Sequence, residues 1–178
     1  MTDRSSLERY LLDAIASVVP EHGGAYVAGP LATGKRHYEL LSSGDELAAS
    51  QVRSENENKM RTFVVSLRQR LPYPVIDPGL IKVDTWSNRE IGDFYLKIVE
   101  HFVKEIWFMD GWEYSRGATK EFQFAVTRNV RCLDARGAAI SSADGCNLIS
   151  DVITHLDQLG LDASRFADRI ATIRSAHR

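Results

Sequence analysis

The sequence predicts an α/β fold, a three-layer α/β/α sandwich with a mainly parallel sheet of the flavodoxin-like or Rossmann-like kind. Three observations predict it: short apolar runs of strand length, longer stretches with apolar residues at helical spacing, and alternation of the two along the chain. Strands that alternate with helices pair in parallel through right-handed crossovers. With 178 residues and 44% hydrophobic content, the chain has enough apolar residues to fill one core.

Short apolar runs are predicted to form the strands of the sheet. The first run is followed by Gly29-Pro30, which suits a strand that ends in a tight turn. The third is continuously apolar, which is typical of a central strand in a parallel sheet because helices cover both of its faces. In chain order, the predicted strands are residues 25–28, 73–76, 106–109 and 130–133.

Stretches with apolar residues at helical spacing are predicted to form helices. Ser5, Ser54 and Ser87 each precede a glutamate by three residues, the pattern of a capping box, and Gly160 is placed to end a helix. Residues 31–54 have a weak pattern, which predicts a long loop with a short helix at 45–52 as an open alternative. In chain order, the predicted helices are residues 7–18, 60–71, 91–102, 118–129, 148–159 and 164–173.

Composition excludes several functional classes. Lys+Arg 22 nearly cancels Asp+Glu 24, so no strong field attracts nucleic acid or an anionic membrane. No apolar run approaches the roughly 18 residues of a membrane span, and the first residues lack the apolar segment of a signal peptide. Cys132 and Cys146 lack the spacing of a disulfide framework or a zinc site. We therefore expect a cytoplasmic protein that binds no metal, nucleic acid or membrane.

The carboxyl ends of the predicted strands are where an open α/β sheet binds its ligand. Three loops begin there, at residues 29–35, 77–87 and 110–117. The third combines glycines, aromatic residues and charges just before a helix N-terminus, where backbone N–H groups can hold an anion. Asp77 opens a Pro-Gly turn, so its carboxylate has either a structural role or a contact with a base or ribose. The sequence therefore predicts a pocket for a sugar, a phosphate or a base.

Glu121 is a candidate catalytic carboxylate, one turn into the helix predicted at residues 118–129. Helical geometry places it on the flank of the buried face, near the strand ends. Partial burial there raises the pKa of a carboxyl group unless a hydrogen bond favours its ionised form, and Tyr26 is a candidate donor. The alternative is a first-turn glutamate that only complements the helix dipole.

Two motifs at the ends of predicted strands carry a resemblance to a known family. The first is Ala25-Tyr26-Val27-Ala28-Gly29-Pro30-Leu31, and the second is Gly111-Trp112-x-x-Ser115-x-Gly117-Ala118-x-x-Glu121-x-x-x-Ala125. Together they resemble the nucleoside 2-deoxyribosyltransferase superfamily, which also includes nucleotide N-glycoside hydrolases. The likeness covers roughly residues 25–133. It implies a nucleoside 2-deoxyribosyltransferase-like domain at residues 25–178, after an N-terminal helical extension at residues 1–24.

The resemblance implies a catalytic role for two residues. Glu121 would be the nucleophile that attacks the anomeric carbon and holds a covalent glycosyl intermediate, and Tyr26 would orient its carboxylate. This assignment agrees with the chemistry, because a carboxylate stabilises an oxocarbenium-like transition state and a covalent intermediate divides the reaction into easier steps. Neither a metal nor an organic cofactor is implied.

The candidate substrate-binding residues lie in the same three loops. Ser115 and the N–H groups around Gly117 would bind the 5′ end of the sugar or a phosphate, and Trp112 would lie against the base. Gly29 and Pro30 would shape the floor of the pocket. The full set is Gly29, Pro30, Asp77, Gly111, Trp112, Ser115 and Gly117.

One departure from the family pattern leaves two functional hypotheses open. The family usually carries an aspartate on the helix before the central strand, and that position is about Lys97 here, while the nearest acid, Asp93, is expected to face solvent. The family's Ala-Asp before the central strand is likewise Lys104-Glu105. The first hypothesis is an enzyme that cleaves or transfers the N-glycosidic bond of a nucleoside or nucleotide. The second is a non-catalytic nucleotide-sensing or scaffold module with the same pocket. For either one, the resemblance implies a homo-oligomer.

Overall fold

The computed structural model describes residues 4–81 and 83–176, so residues 1–3 and 177–178, at the outer ends of the predicted extension and domain, lie outside it. Within this part the sheet has four strands: β1 Gly24–Ala28, β2 Val75–Ile76, β3 Val103–Phe108 and β4 Arg131–Leu133. They are all parallel and lie in the order β2-β1-β3-β4. This arrangement confirms the predicted fold class.

Seven α-helices accompany the sheet within the described residues. They are α1 Arg4–Ala16, α2 Lys35–Ser42, α3 Glu46–Arg70, α4 Asn88–Phe102, α5 Arg116–Thr127, α6 Ser142–Gln158 and α7 Ser164–Ala176. Short 3-10 helices at Pro78–Leu80 and Trp112–Tyr114 follow β2 and β3. The predicted strand–helix alternation is therefore present, with α2 as an additional helix.

Alternate residues of β1 point to opposite faces of the sheet, as strand geometry requires. Ala25 and Val27 pack in the core cluster that includes the buried face of α3. Tyr26 and Ala28 belong to the larger cluster, which joins residues of α4, α5, α6 and α7. Because helices cover both faces, every residue of β1 is buried, and the strand reads in the sequence as an uninterrupted apolar run.

Strand order reverses between β1 and β3, because β2 lies on one side of β1 and the chain then crosses to the other side to form β3. The two strands end at the same level, since Ala28 pairs with Phe108. The Met109 N–H then donates to the Ala28 carbonyl at 2.9 Å. At Gly29 an added Cβ would lie 2.9 Å from Met109 Sδ, so glycine permits this close approach. This edge of the sheet is where doubly wound folds bind ligands.

The long loop predicted at residues 31–54 is wrong, because α2 and the first turns of α3 occupy most of it. Asp45 caps α3 by accepting a hydrogen bond from the Ala48 N–H at 2.9 Å, so Ser54 lies inside the helix and is not its cap. The buried face of α3 begins with Ala49, Val52 and Asn56. These residues give a weak apolar signal, since two are small or polar, and the helix was visible in the sequence only from Met60 onward.

The other capping predictions have mixed outcomes. Ser87 and Glu90 form the predicted capping box of α4. Ser5 lies within α1, so the capping box predicted there is wrong. Gly160 follows α6 with φ +68°, which confirms its predicted place at a helix end. The helix itself begins earlier than predicted, because Ser141 caps a first turn of mainly small and polar residues.

Candidate active site

A cavity of about 860 Å³ opens at the carboxyl ends of the strands. Gly29 and Leu31 line it after β1, Gly79 lines it after β2, and Ser115 lines it after β3. These are the three loops in which the sequence predicts the site. Further walls come from α3, the start of α4, and α7. Its volume is within the roughly 300–1,000 Å³ that small-molecule sites occupy.

A smaller hollow, of about 380 Å³, lies at the outer edge of the sheet beside β2. Its lining is mostly apolar, with Arg68 as the charged residue, and includes no acidic side chain among the described residues. A general acid or a carboxylate nucleophile is therefore lacking there, and the chemistry of the molecule is better placed in the larger cavity.

Tyr26 and Glu121 meet at the buried end of the larger cavity. The Tyr26 hydroxyl donates a hydrogen bond of 2.6 Å to Glu121 Oε1. Tyr26 is fully buried, and Glu121 is 8% exposed and lines the cavity. The bond forms because residue parity turns Tyr26 toward the sheet face that α5 covers, while Glu121 lies beside the buried Phe122. The hydrogen bond that the sequence predicts is present.

Burial dominates the ionisation of Glu121. It raises the pKa of this carboxyl group to about 7, against the opposing effects of the Tyr26 hydrogen bond and the Lys120 charge. Burial and the nearby Glu121 charge raise the pKa of Tyr26 well above 10, so the tyrosine keeps its proton and acts as donor. Near neutral pH the carboxyl group thus converts between its protonated and ionised forms.

The first turn of α5 faces the same cavity. Ser115 is the N-cap, and its Oγ accepts a hydrogen bond from the Ala118 N–H at 3.2 Å. The first N–H groups of the helix, those of Arg116 and Gly117, have no partner inside the helix because of its geometry. Both residues line the cavity. This turn can therefore bind an anion or a hydroxyl oxygen.

Several predicted substrate-binding residues do not line the cavity. Trp112 is 4% exposed and packs between Phe108 and Phe122, with ring centroids 4.7 Å from each, so its expected contact with a base has no support in this geometry. Gly111 supplies a left-handed turn at φ +81° before the 3-10 helix. Pro30 also lies outside the lining.

Asp77 has the structural role that the sequence left open. Its side chain is 7% exposed, and its Oδ1 accepts a hydrogen bond from the Gly79 N–H at 2.9 Å, which caps the 3-10 helix after β2. Gly79 lines the cavity, whereas Asp77 does not. Asp77 therefore shapes the wall of the site and does not present its carboxylate to a ligand.

Two residues that fix the loops after β1 and β2 were not predicted from the sequence to belong to the site. Asn56, 7% exposed on α3, donates to the Leu31 and Thr33 carbonyls, at 3.2 Å each, and so fixes the loop after β1. Tyr95 lines the cavity and donates to the Pro78 carbonyl at 2.9 Å. Asn56 gave no signal because it lies in the part of α3 that was not recognised, and Tyr95 was visible only as part of an apolar stripe.

Lys97, Asp93 and Glu105, the positions at which the sequence departs from the family pattern or carries the nearest acid, do not line the cavity. Lys97 forms an ion pair with Glu8 of α1 and does not line the cavity. The Asp93 side chain lies at the surface, as expected, and is 47% exposed. It accepts a hydrogen bond from Lys120 at 2.7 Å. Glu105 is buried and accepts hydrogen bonds from Tyr73 and Trp107, outside the cavity.

No protein-family model matches the chain, and no curated protein or solved structure matches it. The likeness to the nucleoside 2-deoxyribosyltransferase superfamily therefore rests on the two sequence motifs alone. In the described part of the chain, no group of three or more His, Cys, Asp and Glu side chains is placed to hold a metal ion. None of the described helices has the length and apolar character needed to cross a membrane.

Proposed function

We propose that the protein cleaves or transfers the N-glycosidic bond of a nucleoside or nucleotide, with Glu121 as the nucleophile. One observation carries the proposal. A buried carboxyl group, held by the Tyr26 hydroxyl at 2.6 Å, lines a cavity at the point where strand order reverses. A carboxylate in that setting suits a transition state with positive charge on the sugar.

The reaction would proceed in two displacements. Tyr26 binds Oε1 of Glu121, so Oε2 attacks the anomeric carbon while the bond from that carbon to the base nitrogen breaks. The base leaves with the bonding electron pair and takes up a proton from water. Water or a second base then attacks the anomeric carbon of the glycosyl ester. The Glu121 carboxylate departs, and the attacking group loses its proton to solvent.

The rest of the cavity would position the substrate. The N–H groups of Arg116 and Gly117 suit the 5′ oxygen of the sugar, one helical turn before Glu121. Gly29 lines the cavity with its backbone, and its missing Cβ leaves room for Met109 at the end of the neighbouring strand. The homo-oligomer and the cytoplasmic location remain part of this proposal, and light scattering on the 20.0 kDa chain checks the first.

Release of free base from a panel of nucleosides and nucleotides tests the proposal. We expect Glu121→Gln to slow release by several orders of magnitude, because an amide keeps the volume but cannot act as an anionic nucleophile. Glu113→Gln is the matched control: Glu113 lies in the 3-10 helix just before α5, burial likewise raises its pKa, and it does not line the cavity. Equal rates of base release by wild type and by folded Glu121→Gln would contradict this mechanism.

A non-catalytic nucleotide-sensing or scaffold module is the second candidate. The observation that favours it is Lys97, which stands where the family usually has an aspartate and pairs with Glu8 outside the cavity. A catalytic group of the family pattern is thus replaced by a surface cation. Tight binding of one nucleotide by wild type, with no release of base from any member of the panel, would support this second candidate.

A further inference from the structure

Basic side chains outnumber acidic ones around the cavity. Among the described lining residues there are six basic and three acidic side chains, although the whole chain carries a net charge of −2. The acidic residues are Glu57, Asp84 and Glu121. The basic residues are Arg53, Arg89, Arg116, Lys120, Arg165 and Arg169. The excess of positive charge is therefore concentrated at this site.

Half of these cations already have carboxylate partners. Arg53 pairs with Glu57 at 2.9 Å, and Lys120 pairs with Asp93 at 2.7 Å. Arg89 also lies 4.0 Å from Asp93. These side chains contribute little net field to the cavity, because each is partly neutralised where it stands.

The other three cations form a cluster at the α5 and α7 wall, which we call the arginine cluster: Arg116, Arg165 and Arg169. Among the described residues, none of the three has a carboxylate within 4.0 Å. Hydrogen bonds from Ser164 are the main cause that lowers the pKa of Asp162, and the charges of both Arg116 and Arg165 lower it further, so this carboxylate lies in the surroundings of both guanidinium groups. Arg116 is also the first residue of α5, beside the helix N–H groups that face the cavity.

Arg169 is the most buried member of the arginine cluster. It is partly buried one turn after Arg165, and its Nη1 donates to Gln123 Oε1, a neutral acceptor, at 3.0 Å. Burial lowers the pKa of its guanidinium group, the Arg165 charge lowers it further, and Asp168 opposes the shift. Two like charges are thus held together with one of them partly desolvated. An anion bound beside both guanidinium groups would reduce their mutual repulsion.

We propose that the arginine cluster binds the phosphate chain of a nucleotide that carries two or more phosphate groups. The three guanidinium groups can each bind phosphate oxygens through two N–H groups, which suits the roughly three negative charges of a diphosphate even with Asp162 and Asp168 nearby. The free N–H groups of α5 lie at the same wall and add to the anion site. The nucleoside part of this ligand rests on the proposed function, which places the sugar beside Glu121.

Calorimetric titration with inorganic pyrophosphate and orthophosphate, in the presence of EDTA, tests the cluster without any assumption about the base. We expect pyrophosphate to bind at least about tenfold more tightly than orthophosphate. Arg165→Gln and Arg169→Gln should each weaken pyrophosphate binding about tenfold or more. Arg174→Gln is the matched control on the same helix, because Arg174 is exposed and does not line the cavity, and it should leave the affinity unchanged.

Several results would overturn the inference. Equal affinities for the two anions would do so, and so would unchanged pyrophosphate affinity in the Arg165 and Arg169 variants. Arg165→Glu reverses the charge at an exposed position and should abolish pyrophosphate binding, so it separates the loss of charge from a structural effect of Arg169→Gln. Orthophosphate or bare nucleosides that compete as well as nucleoside diphosphates would also count against it.

The proposal of phosphate binding and the proposal of glycosidic cleavage would be contradicted by different results. Glu121→Gln should not weaken pyrophosphate binding, since the Glu121 carboxyl group is held by Tyr26 and does not belong to the arginine cluster. Pyrophosphate binding with no release of base from any substrate leaves the arginine cluster standing and removes the glycosidic mechanism. Release of base from bare nucleosides at the same rate as from diphosphates, unaffected by Arg165→Gln, leaves the mechanism standing and removes the phosphate chain.

Discussion

Replacing Glu121 with glutamine should make the protein more stable near neutral pH. The folded protein raises the pKa of this carboxyl group from its ordinary 4.5 to about 7, chiefly through burial. At about 1.36 kcal/mol per pKa unit, a shift of about 2.5 units corresponds to roughly 3 kcal/mol.

The sign of the effect follows from proton linkage. Below about pH 4.5 both the folded and the unfolded chain hold the proton, so Glu121 does not change the free energy of unfolding. Between about pH 4.5 and 7 the unfolded chain ionises first, and the folded state loses relative stability as the pH rises. Above about pH 7 the full loss is present. Glutamine removes this titration and still accepts the Tyr26 hydrogen bond through its amide oxygen.

Urea unfolding of wild type and Glu121→Gln, at a series of pH values from about 4 to 8.5, measures the effect. The difference between the two free energies of unfolding should change by roughly 3 kcal/mol across the series, in favour of glutamine at high pH. Taking the difference cancels the titration of all other groups. A difference that stays constant with pH would refute the raised pKa, and a change in the opposite direction would mean that the native state stabilises the carboxylate.

Two further substitutions test how the site is held. Tyr26→Phe removes the hydrogen bond that favours the ionised form of Glu121, so cleavage should slow about ten- to a hundredfold near pH 7 and recover in part at higher pH. Profiles of kcat/KM against pH measure this effect. A uniform loss at every pH would argue against a role of Tyr26 in the ionisation of Glu121. Asn56→Ala leaves two loop carbonyls without their donor, so the free energy of unfolding should drop by about 1–3 kcal/mol. The KM should rise more than kcat falls. Unchanged kinetics would contradict a role of Asn56 in fixing the loop.

The fold class was predictable because the strongest signals are local. In β1 every side chain is buried, and the strand is an apolar run bounded by glycines. In α4 a capping box at Ser87 precedes a regular apolar stripe. The first half of α3 was missed because its buried face carries Ala49, which is small, and Asn56, which is polar and binds loop carbonyls that no local pattern reveals.

The candidate site was predictable where geometry within one element decides direction. Strand parity turns Tyr26 to one face, and helical spacing places Glu121 on the buried flank of α5, so their meeting follows from parallel topology. Trp112 is different, since a 3-10 turn carries it into the core between two phenylalanines. Arg165 and Arg169 were also out of reach, because only the packing of α7 on α5 shows which side of that helix meets the cavity.

The two functional hypotheses separate at Glu121. A buried carboxyl group with a raised pKa lowers the stability of the folded protein, and a scaffold or sensing module gains nothing from it, since an apolar or amide side chain of similar size would pack in the same place. The arginine cluster would suffice to hold an anionic ligand without any contribution from Glu121. A nucleophile, by contrast, must be an anion and must stand close to the sugar without its hydration shell, which is what burial beside Tyr26 provides. The energetic disadvantage of Glu121 therefore favours the proposal of a catalytic nucleophile over that of a binding module.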